Sequence, residues 1–316
     1  MKPKPPSVGV EERVLDQYGT GHVQTTIVSV PERNFTWIRT PGPARSQPFG
    51  GPPAPIRSAL AALATGRQPG VGCVLPEAYG SELRYTLPGP RSTAELLLSG
   101  EPAARSAAEG LLHGLGTLLR ALHATTPPTG PEAYTPLTYR RLAAWADMPQ
   151  GGRATRLHEA LRTSLGPTRW NRLRQWLGEL LDSENRVLVH GGPSLGLLVP
   201  GTGTATEAGT EVAALLTGED AGLCPPRADV GWVLGELREL RMWSALHRSS
   251  ADPSFWDRAE AAFNHGYGQQ PDLPTHRTAV LRVLLHLHDF CVFVAWDQAQ
   301  VQRYVALLKG HVDELA

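Results

Sequence analysis

The pattern of apolar residues changes near residue 88, and this change constrains the fold more than any other feature of the sequence. Up to that point, β-branched and aromatic residues alternate with glycine and proline, a pattern typical of short strands and turns. Beyond it, leucines recur at helical spacing, first over 111–122 and again over 173–181. The sequence therefore predicts an α+β protein with a small β-rich lobe followed by a larger helical lobe.

Three segments follow from this pattern. Residues 1–10 are rich in proline, which predicts a disordered tail. Residues 11–88 form the predicted N-terminal β-rich lobe, with strands in VLDQYGTGHVQTTIVSV and NFTWIRTP and a short helix over 54–64. Residues 89–316 form the predicted C-terminal helical lobe, and the strip over 86–90 is a predicted hinge between the two.

The composition suits a large apolar core and argues against a partner that is held mainly by charge. The chain has 316 residues, 41% of them hydrophobic, and its 30 basic residues balance its 30 acidic ones. A protein that binds nucleic acid mainly by charge shows a basic excess, so no nucleic-acid partner is predicted. The lysines are Lys2, Lys4 and Lys309, and all other basic residues are arginines.

The cysteines and the apolar segments indicate the compartment. The 3 cysteines lie far apart and form neither a metal-binding nor a disulfide pattern, which suits a reducing cytoplasm. The first residues have no apolar stretch typical of a signal peptide. The most apolar late segment, 279–296, contains charged residues and histidines, so we expect a buried helix there. A cytoplasmic protein with no membrane contact is the expectation.

The region 186–239 carries the most informative order of motifs. It contains RVLVHGGPSLGLLVP, then VAALLTGEDAGLCPPRADVGWVLGELREL, and GLGTLLRALHATTP precedes it. This order resembles the aminoglycoside phosphotransferase and choline-kinase branch of the protein-kinase-like superfamily, with its H-G-D-x-x-x-x-N, I-D-[WF]-E and G-D-P-x-x-D-L motifs. The resemblance implies a bilobal protein-kinase-like (aminoglycoside phosphotransferase-like) fold, with ATP and Mg²⁺ as cofactors.

The residues that perform phosphoryl transfer in that family are absent here. His190 matches the start of the first motif, where the family's histidine is structural. Gly192 stands in place of the catalytic Asp, Leu197 in place of the metal-binding Asn, and Thr217 in place of a second metal-binding Asp. Phosphoryl transfer depends on a positioned base and on metal ions that neutralise charge, so this degenerate loop lacks its main catalytic groups.

The neighbouring sequence offers no ordinary replacement for these groups. No Asp occurs between residues 183 and 219 and no Asn between 186 and 263, so a shift of a few positions does not restore the motif. Arg39 stands near the position of the family's lysine, and a guanidinium holds phosphate with a different reach. Gly19 and Gly21, in YGTGHVQ, match the glycine-rich turn that lets the backbone approach phosphates, and with Arg39 they are the candidate nucleotide-binding residues.

Glu219 and Asp220 are the acidic residues that remain near the predicted cleft. Magnesium needs one or two carboxylates besides phosphate oxygens and water, so this pair is the fallback for a relocated metal site. The alternative is that Glu219 bonds to loop amides and Asp220 is solvated. Asp229 is kept at the family's position, and we interpret it as structural, either as an anchor of the loop or as a cap of the following helix.

Ser194 raises a different hypothesis, because GPSLG matches the G-x-S-x-G motif of serine hydrolases. In those enzymes a helix follows the serine directly. Here the next residues, LLVPGTGTATEAGTE, indicate a strand and a loop. A hydrolase acting through Ser194 is therefore a remote alternative.

The preferred interpretation is a degenerate kinase-like protein that binds a peptide, a nucleotide or a partner protein. Proteins of similar appearance accompany lyases in systems that make lanthipeptides and thioamitides, where a phosphate added to Ser or Thr is eliminated. The resemblance thus implies a peptide substrate or a lyase partner. The alternative is an active ATP-dependent phosphotransferase, acting on Ser or Thr hydroxyls or on a small molecule, with relocated metal ligands. The sequence leaves open whether the chain is an enzyme and assigns neither ATP nor Mg²⁺ to particular ligands.

Overall fold

The computed structural model describes residues 12–30, 34–45, 47–65, 70–128, 134–202, 213–246 and 254–316. Within these residues the chain has a small lobe built on an antiparallel sheet and a larger, mainly helical lobe. The predicted α+β, bilobal fold is thereby confirmed. The predicted tail over 1–10 lies outside the described residues.

A five-stranded antiparallel sheet forms the small lobe. In chain order the elements here are β1 (Arg13–Gly19), β2 (Val23–Val30), β3 (Asn34–Pro41), α1 (Ala54–Thr65), β4 (Val71–Val74), β5 (Glu77–Tyr79) and β6 (Glu82–Leu87). The strands of the sheet are ordered β1-β2-β3-β6-β5. Ile27, Trp37 and Tyr85 stand opposite one another on its three central strands, and all three are buried. This row gives the sheet one continuous apolar face.

The larger lobe surrounds a few short strands with helices. Its elements are α2 (Thr93–Leu98), α3 (Pro102–Ala124), α4 (Leu137–Asp147), α5 (Gly152–Leu181), β7 (Val187–Val189), β8 (Leu198–Pro200), β9 (Ala213–Leu216), β10 (Gly222–Cys224), α6 (Arg227–Leu246), α7 (Phe255–Tyr267), α8 (Leu273–Phe293) and α9 (Gln298–Glu314). Helix α5 bends at Gly166, whose φ of 75° interrupts the helix just before Pro167.

A second sheet pairs a strand of the N-terminal part of the chain with strands of the C-terminal part. Strand β4 pairs in parallel with β9, which pairs antiparallel with β8. The ladder continues past β9, where the N–H of Thr217 donates to the carbonyl of Val74 at 3.0 Å. Strand β7 pairs separately with β10. Backbone hydrogen bonds therefore join the two halves of the chain beside the region where the site residues lie.

Glycines allow the closest helix contacts of the larger lobe. In α3 and α7, Gly116 and Gly266 each face backbone of the other helix so closely that a Cβ would overlap it. Gly231 and Gly235 of α6 lie in the same way against α8. Because a close backbone approach excludes side chains, these glycines fix the separation of both helix pairs.

Helix α8 includes most of the apolar segment that the sequence places in the core. Buried residues from Ala279 to Leu287 pack against α5 and α6, with Arg282 buried among them. None of the described helices combines the length and the hydropathy that crossing a bilayer requires.

Candidate functional site between the lobes

The loop that follows β7 is anchored to the start of α6 by one buried carboxylate. Asp229 is fully buried, and its two oxygens accept the backbone N–H groups of His190 at 2.7 Å and Gly191 at 2.8 Å. The Nε2 atom of His123 in α3 lies 3.1 Å from the same carboxylate. Hydrogen bonds to a buried charged group are strong, so Asp229 fixes this loop against α6 and α3.

The first residues of the loop have structural contacts. Gly191 has a φ of 84°, a conformation that favours glycine, and a Cβ there would overlap the carbonyl oxygen of Asp220. The Nε2 of His190 lies 2.9 Å from the carbonyl oxygen of Leu216 in β9. Burial lowers the pKa of His190, so the ring is neutral and donates from Nε2 to this carbonyl. His190 therefore links the loop to a strand.

Gly192, Leu197 and Thr217 occupy the positions where the sequence analysis expects two carboxylates and an amide. A Cβ on Gly192 would lie 3.4 Å from the ring of Trp232, so this glycine faces an aromatic wall. Leu197 packs against the apolar core. Thr217 is fully buried, and its hydroxyl lies 3.3 Å from the carbonyl oxygen of Leu215. None of the three supplies a carboxylate or a side-chain amide to the cleft.

Ser194 is held by a glutamate and has no histidine as a hydrogen-bond partner among the described residues. Its hydroxyl donates to Oε1 of Glu236 at 2.7 Å, and the N–H of Leu195 donates to Oε2 at 2.8 Å. The segment after Ser194 continues into strand β8, whereas a nucleophile elbow continues into a helix. These contacts give Ser194 a structural role in shaping the loop.

Glu219 and Asp220 both accept hydrogen bonds from protein groups. The Arg45 guanidinium forms a bidentate ion pair with Glu219, at 2.6 and 2.7 Å, and the N–H of Gly50 adds a bond at 3.1 Å. Asp220 accepts the N–H of Thr138 at 3.0 Å and its hydroxyl at 2.5 Å, which caps α4. Among the residues that the structure describes, no cluster of three or more His, Cys, Asp or Glu side chains could hold a metal ion.

The amide groups of the glycine turn, residues 20–23, all have partners within the chain. The N–H of Thr20 donates to the carbonyl of Val23 at 2.7 Å, and the N–H of Gly21 donates to the carbonyl of Phe293 at 2.5 Å. The hydroxyl of Thr20 accepts the N–H groups of His22 and Val23 at 3.0 and 3.2 Å. A turn that cradles phosphate must direct free amides at it, and these four are already used.

Close backbone contacts hold the glycine turn in place. The carbonyl of Gly21 accepts the N–H of Ala44 at 2.7 Å, while its N–H bonds the end of α8. A Cβ on Gly21 would lie 2.9 Å from the carbonyl oxygen of Phe293. Gly19, at the end of β1, is paired with Gln24. The turn is thus closed onto the larger lobe through Gly21.

The space between the small sheet and the second sheet is filled by side chains. Trp37 is 1% exposed, and its indole N–H donates to the carbonyl of Gly89 in the hinge at 3.2 Å. It belongs to a buried cluster that spans both sheets: Ile27, Trp37, Leu83, Tyr85, Leu87, Val199, Ala214 and Leu216. These side chains pack against one another between the two sheets.

Arginines line the part of the cleft that stays open. Arg39 lies on β3, and among the described residues no carboxylate forms an ion pair with it. Nη1 of Arg45 lies 3.0 Å from Nε2 of His22. Burial, reinforced by Arg141 and Arg45, lowers the pKa of His22 to about 4, so this imidazole is neutral at pH 7 and accepts the arginine's hydrogen.

A cavity of about 320 Å³ remains between the glycine turn, the 190–197 loop and the end of α8. Its walls combine apolar and charged groups: Trp232, Phe290, Phe293, Arg39, Arg141 and Asp220. Gly192, which the sequence resemblance aligns with a catalytic carboxylate, also faces this cavity. The carboxylates that line it are Asp220 and Asp289, and Asp289 is paired with Arg141 at 2.6 Å.

This architecture is the kinase-like phosphotransferase fold. The sequence matches no protein-family description and no curated protein. Solved structures do match. LicA in complex with AMP has a TM-score of 0.54 at 8% identity and covers 97% of this chain and 94% of its own. Glucosamine kinase in complex with glucosamine, ADP and inorganic phosphate has a TM-score of 0.50 at 16% identity, covering 98% and 80%.

A putative fructosamine-3-kinase from Thermobifida fusca matches with a TM-score of 0.49 at 15% identity, covering 97% of this chain and 95% of its own. At these identities the likeness concerns the fold.

Sequence reasoning located the loop and Asp229 but not the residues that close the cleft. Arg45 lies 174 positions from Glu219, and its loop has no motif that indicates the pairing. Glu236 was missed as the partner of Ser194, although an acidic residue within an otherwise buried helical face is a signal that could have found it. Trp37 gave only a strand signal, and nothing in the sequence relates it to Gly89.

Proposed function

We propose that this chain is a kinase-fold protein that does not transfer phosphate and acts as a binding subunit for a peptide or a partner protein. The observation that carries the proposal is the glycine turn. Its four amides, from Thr20 to Val23, all bond within the chain. To hold a nucleotide, the turn would have to give up the bond to Phe293 at the end of α8.

The packing of Trp37 supports the same proposal. A nucleotide whose phosphates lie under the glycine turn must place its base between the lobes. Trp37 and Tyr85 pack in the cluster between the two sheets and are 1% and 0% exposed. Because removing a buried tryptophan side chain from a packed core costs about 3–5 kcal/mol, we propose that Trp37 does not move aside for a nucleotide.

The open cleft carries charges of both signs. Arg39 and Arg141 line the inner cavity together with Asp220 and Asp289, and Arg45 lies at its outer side. A ligand with polar groups of both kinds suits this lining better than a uniformly charged one, because like charges repel in a region of low dielectric.

The proposed setting is a peptide-modifying system of the lanthipeptide or thioamitide kind. This setting rests on the analogy with phosphotransferase-like proteins that accompany lyases. The mixed lining of the cavity supports it because apolar, hydroxyl and charged groups together suit a peptide side chain better than a uniformly charged ligand. In this setting the chain co-purifies with a lyase subunit or with the precursor peptide.

A nucleotide titration with and without magnesium tests the proposal. Melting temperature is followed while ATP is added to the full chain. A ligand at 100 times its dissociation constant adds about 2.7 kcal/mol of stability, so an ordinary ATP site gives a shift that is easily measured. We expect no shift that depends on magnesium, and no added phosphate in the mass of co-incubated peptides.

An active enzyme with relocated ligands predicts the opposite result. Glu219 and Asp220 would bind magnesium, and both would first have to release their present donors, Arg45 and Thr138. Stabilisation by ATP only when magnesium is present, together with phosphorylated product, would establish that alternative and refute ours.

A further inference from the structure

The end of α8 presents apolar residues at the entrance of the cleft. The helix stops at Phe293, and the next residue, Val294, is 45% exposed. Ala295 is exposed, and Trp296 is partly exposed. Across the groove, Leu137 and Ala144 of α4 supply further apolar surface. An apolar strip of this kind beside a cleft suits contact with a ligand or a partner.

Arginines from α4 and α5 border this strip on one side. Arg141 lies 5.8 Å from the ring of Phe293, and Arg156 lies 3.9 Å from the ring of Trp296. Arg153 donates to the carbonyl oxygen of Val294 at 3.4 Å. These contacts place the guanidinium groups along the same path as the apolar residues.

Three arginines of this border have no acidic partner within the described residues. Arg140, Arg153 and Arg156 are exposed and form no ion pair there, whereas Arg141 is paired with Asp289 at 2.6 Å. Acidic side chains nearby are Asp297, which accepts the N–H groups that begin α9, and Glu159, which lies three residues after Arg156 on α5 and forms no ion pair among the described residues. In a chain with 30 basic and 30 acidic residues, three exposed arginines without partners form a local positive surface.

The positive surface continues into the cleft. An open groove of about 560 Å³ is lined by Arg140 and Arg141 of α4 and, on its other side, by Ala44, Arg45 and Gln47. It shares His22, Arg141, Asp220 and Phe293 with the inner cavity, so the two adjoin each other. Both volumes lie in the range of ligand sites.

We propose that this groove and strip, bounded by Arg140, Arg153 and Arg156, bind an extended peptide that carries acidic and apolar side chains. The inference rests on the proposed function, since it names the ligand of the same non-catalytic cleft. Acidic residues of the peptide pair with the three arginines, and its apolar residues cover Phe293, Val294 and Trp296.

The mixture of groups along the path favours a peptide over a polynucleotide. Carboxylates accompany the arginines in both parts: Glu219 and Asp220 line the outer groove, and Asp220 and Asp289 line the inner cavity with Arg39 and Arg141. A phosphate backbone carries the same negative charge at every step, so it would meet these carboxylates and the apolar strip as well as the arginines. A peptide can place acidic residues at the exposed arginines and hydroxyl or apolar residues elsewhere.

The test uses a fluorescent nine-residue peptide of alternating glutamate and leucine ending in serine, with the full chain. In the variant Arg140→Glu/Arg153→Glu/Arg156→Glu we expect affinity to fall at least about 10-fold, because three charge contacts become repulsive. The matched control, Arg57→Glu/Arg120→Glu/Arg303→Glu, makes the same change of net charge at exposed positions of α1, α3 and α9. We expect the control to bind within about 2-fold of the unchanged chain, with affinity in both falling as salt rises.

Three outcomes would refute the proposal that the groove binds a peptide. The first is an equal loss of peptide affinity in both triple variants, and the second is no binding of the peptide at about 100 μM. The third is tighter binding of single-stranded RNA than of the peptide, abolished in the variant Arg140→Glu/Arg153→Glu/Arg156→Glu. The nucleotide titration separates this test from the proposed function. If the chain transfers phosphate to a peptide that the arginine variant no longer binds, the non-catalytic proposal is refuted and the peptide groove is supported. If neither the nucleotide nor the peptide binds, the peptide groove is refuted and the non-catalytic proposal stands.

Discussion

Trp37 donates its indole N–H to the carbonyl oxygen of Gly89, at 3.2 Å. A buried side chain of the small sheet is thus hydrogen-bonded to the backbone of the hinge. The same tryptophan packs between two sheets that belong to different parts of the chain. It therefore joins the lobes while it fills the space between them. The contribution of Trp37 to the free energy of unfolding can be measured.

Trp37→Ala is expected to lower the free energy of unfolding by about 3–5 kcal/mol, because it leaves a cavity in a closed core. Urea denaturation gives the value. Tyr79→Ala is the control, since Tyr79 is 55% exposed and its loss should change stability by no more than about 1 kcal/mol. Equal effects of the two substitutions would show that Trp37 does not hold the lobes together.

Asp229→Asn is expected to lower stability by about 3 kcal/mol, because the buried carboxylate accepts from both His190 and Gly191 and the amide replaces one acceptor with a donor. Hydrogen exchange at these two amides should quicken in the variant. The control is Asp313→Asn, an exposed partner of Arg169 whose loss costs about 1 kcal/mol or less. Unchanged exchange at His190 and Gly191 would contradict the anchoring role.

The fold could be predicted from the sequence because its signals are local. Strand residues precede the hinge and leucines at helical spacing follow it, so the two lobes appear without knowledge of contacts. The position of Asp229 could also be predicted, because Asp229 follows His190 in the order of a sequence motif. The structure adds that its carboxylate accepts hydrogen bonds from two backbone N–H groups.

The closure of the cleft could not be predicted, because it depends on pairs that lie far apart in the chain. Arg45 meets Glu219 across 174 positions, and Trp37 meets Gly89 across 52. Either arginine or tryptophan would fit many environments, so local pattern does not select a partner. The glycine turn is a similar case, since only the position of Phe293 shows that the amide of Gly21 is used.

Gly192→Asp places a carboxylate at the position that the sequence resemblance aligns with a catalytic base, and we expect no phosphotransfer from this variant. The substitution is sterically mild, since the new Cβ lies 3.4 Å from Trp232. On the proposed function, the bonded amides of the glycine turn and the packing of Trp37 still disfavour a nucleotide in this variant. Release of labelled phosphate from ATP should stay at the level of the unchanged chain, with circular dichroism confirming the fold. Magnesium-dependent turnover by the variant would mean that the site lacked only its base.

Glu239 is predicted to make the protein less stable as pH rises from 4.5 to about 8. Arg282 contacts both Glu239 and Glu236, so one guanidinium faces two buried carboxylates. Burial raises the pKa of Glu239 from 4.5 to about 8. Between these values the folded state keeps a proton that the unfolded state releases, so the free energy of unfolding falls across this window and changes no further above it.

Glu239→Gln removes this titration, so the variant should lose the decline in stability between pH 5 and pH 8. One pKa unit corresponds to about 1.4 kcal/mol, so the difference in slope is measurable by urea denaturation at both pH values. Glu184→Gln, at an exposed position, serves as the control and should keep the slope of the unchanged chain. If Glu239→Gln kept that slope as well, the proton would reside on another group, and the burial of Glu239 would not govern the pH dependence.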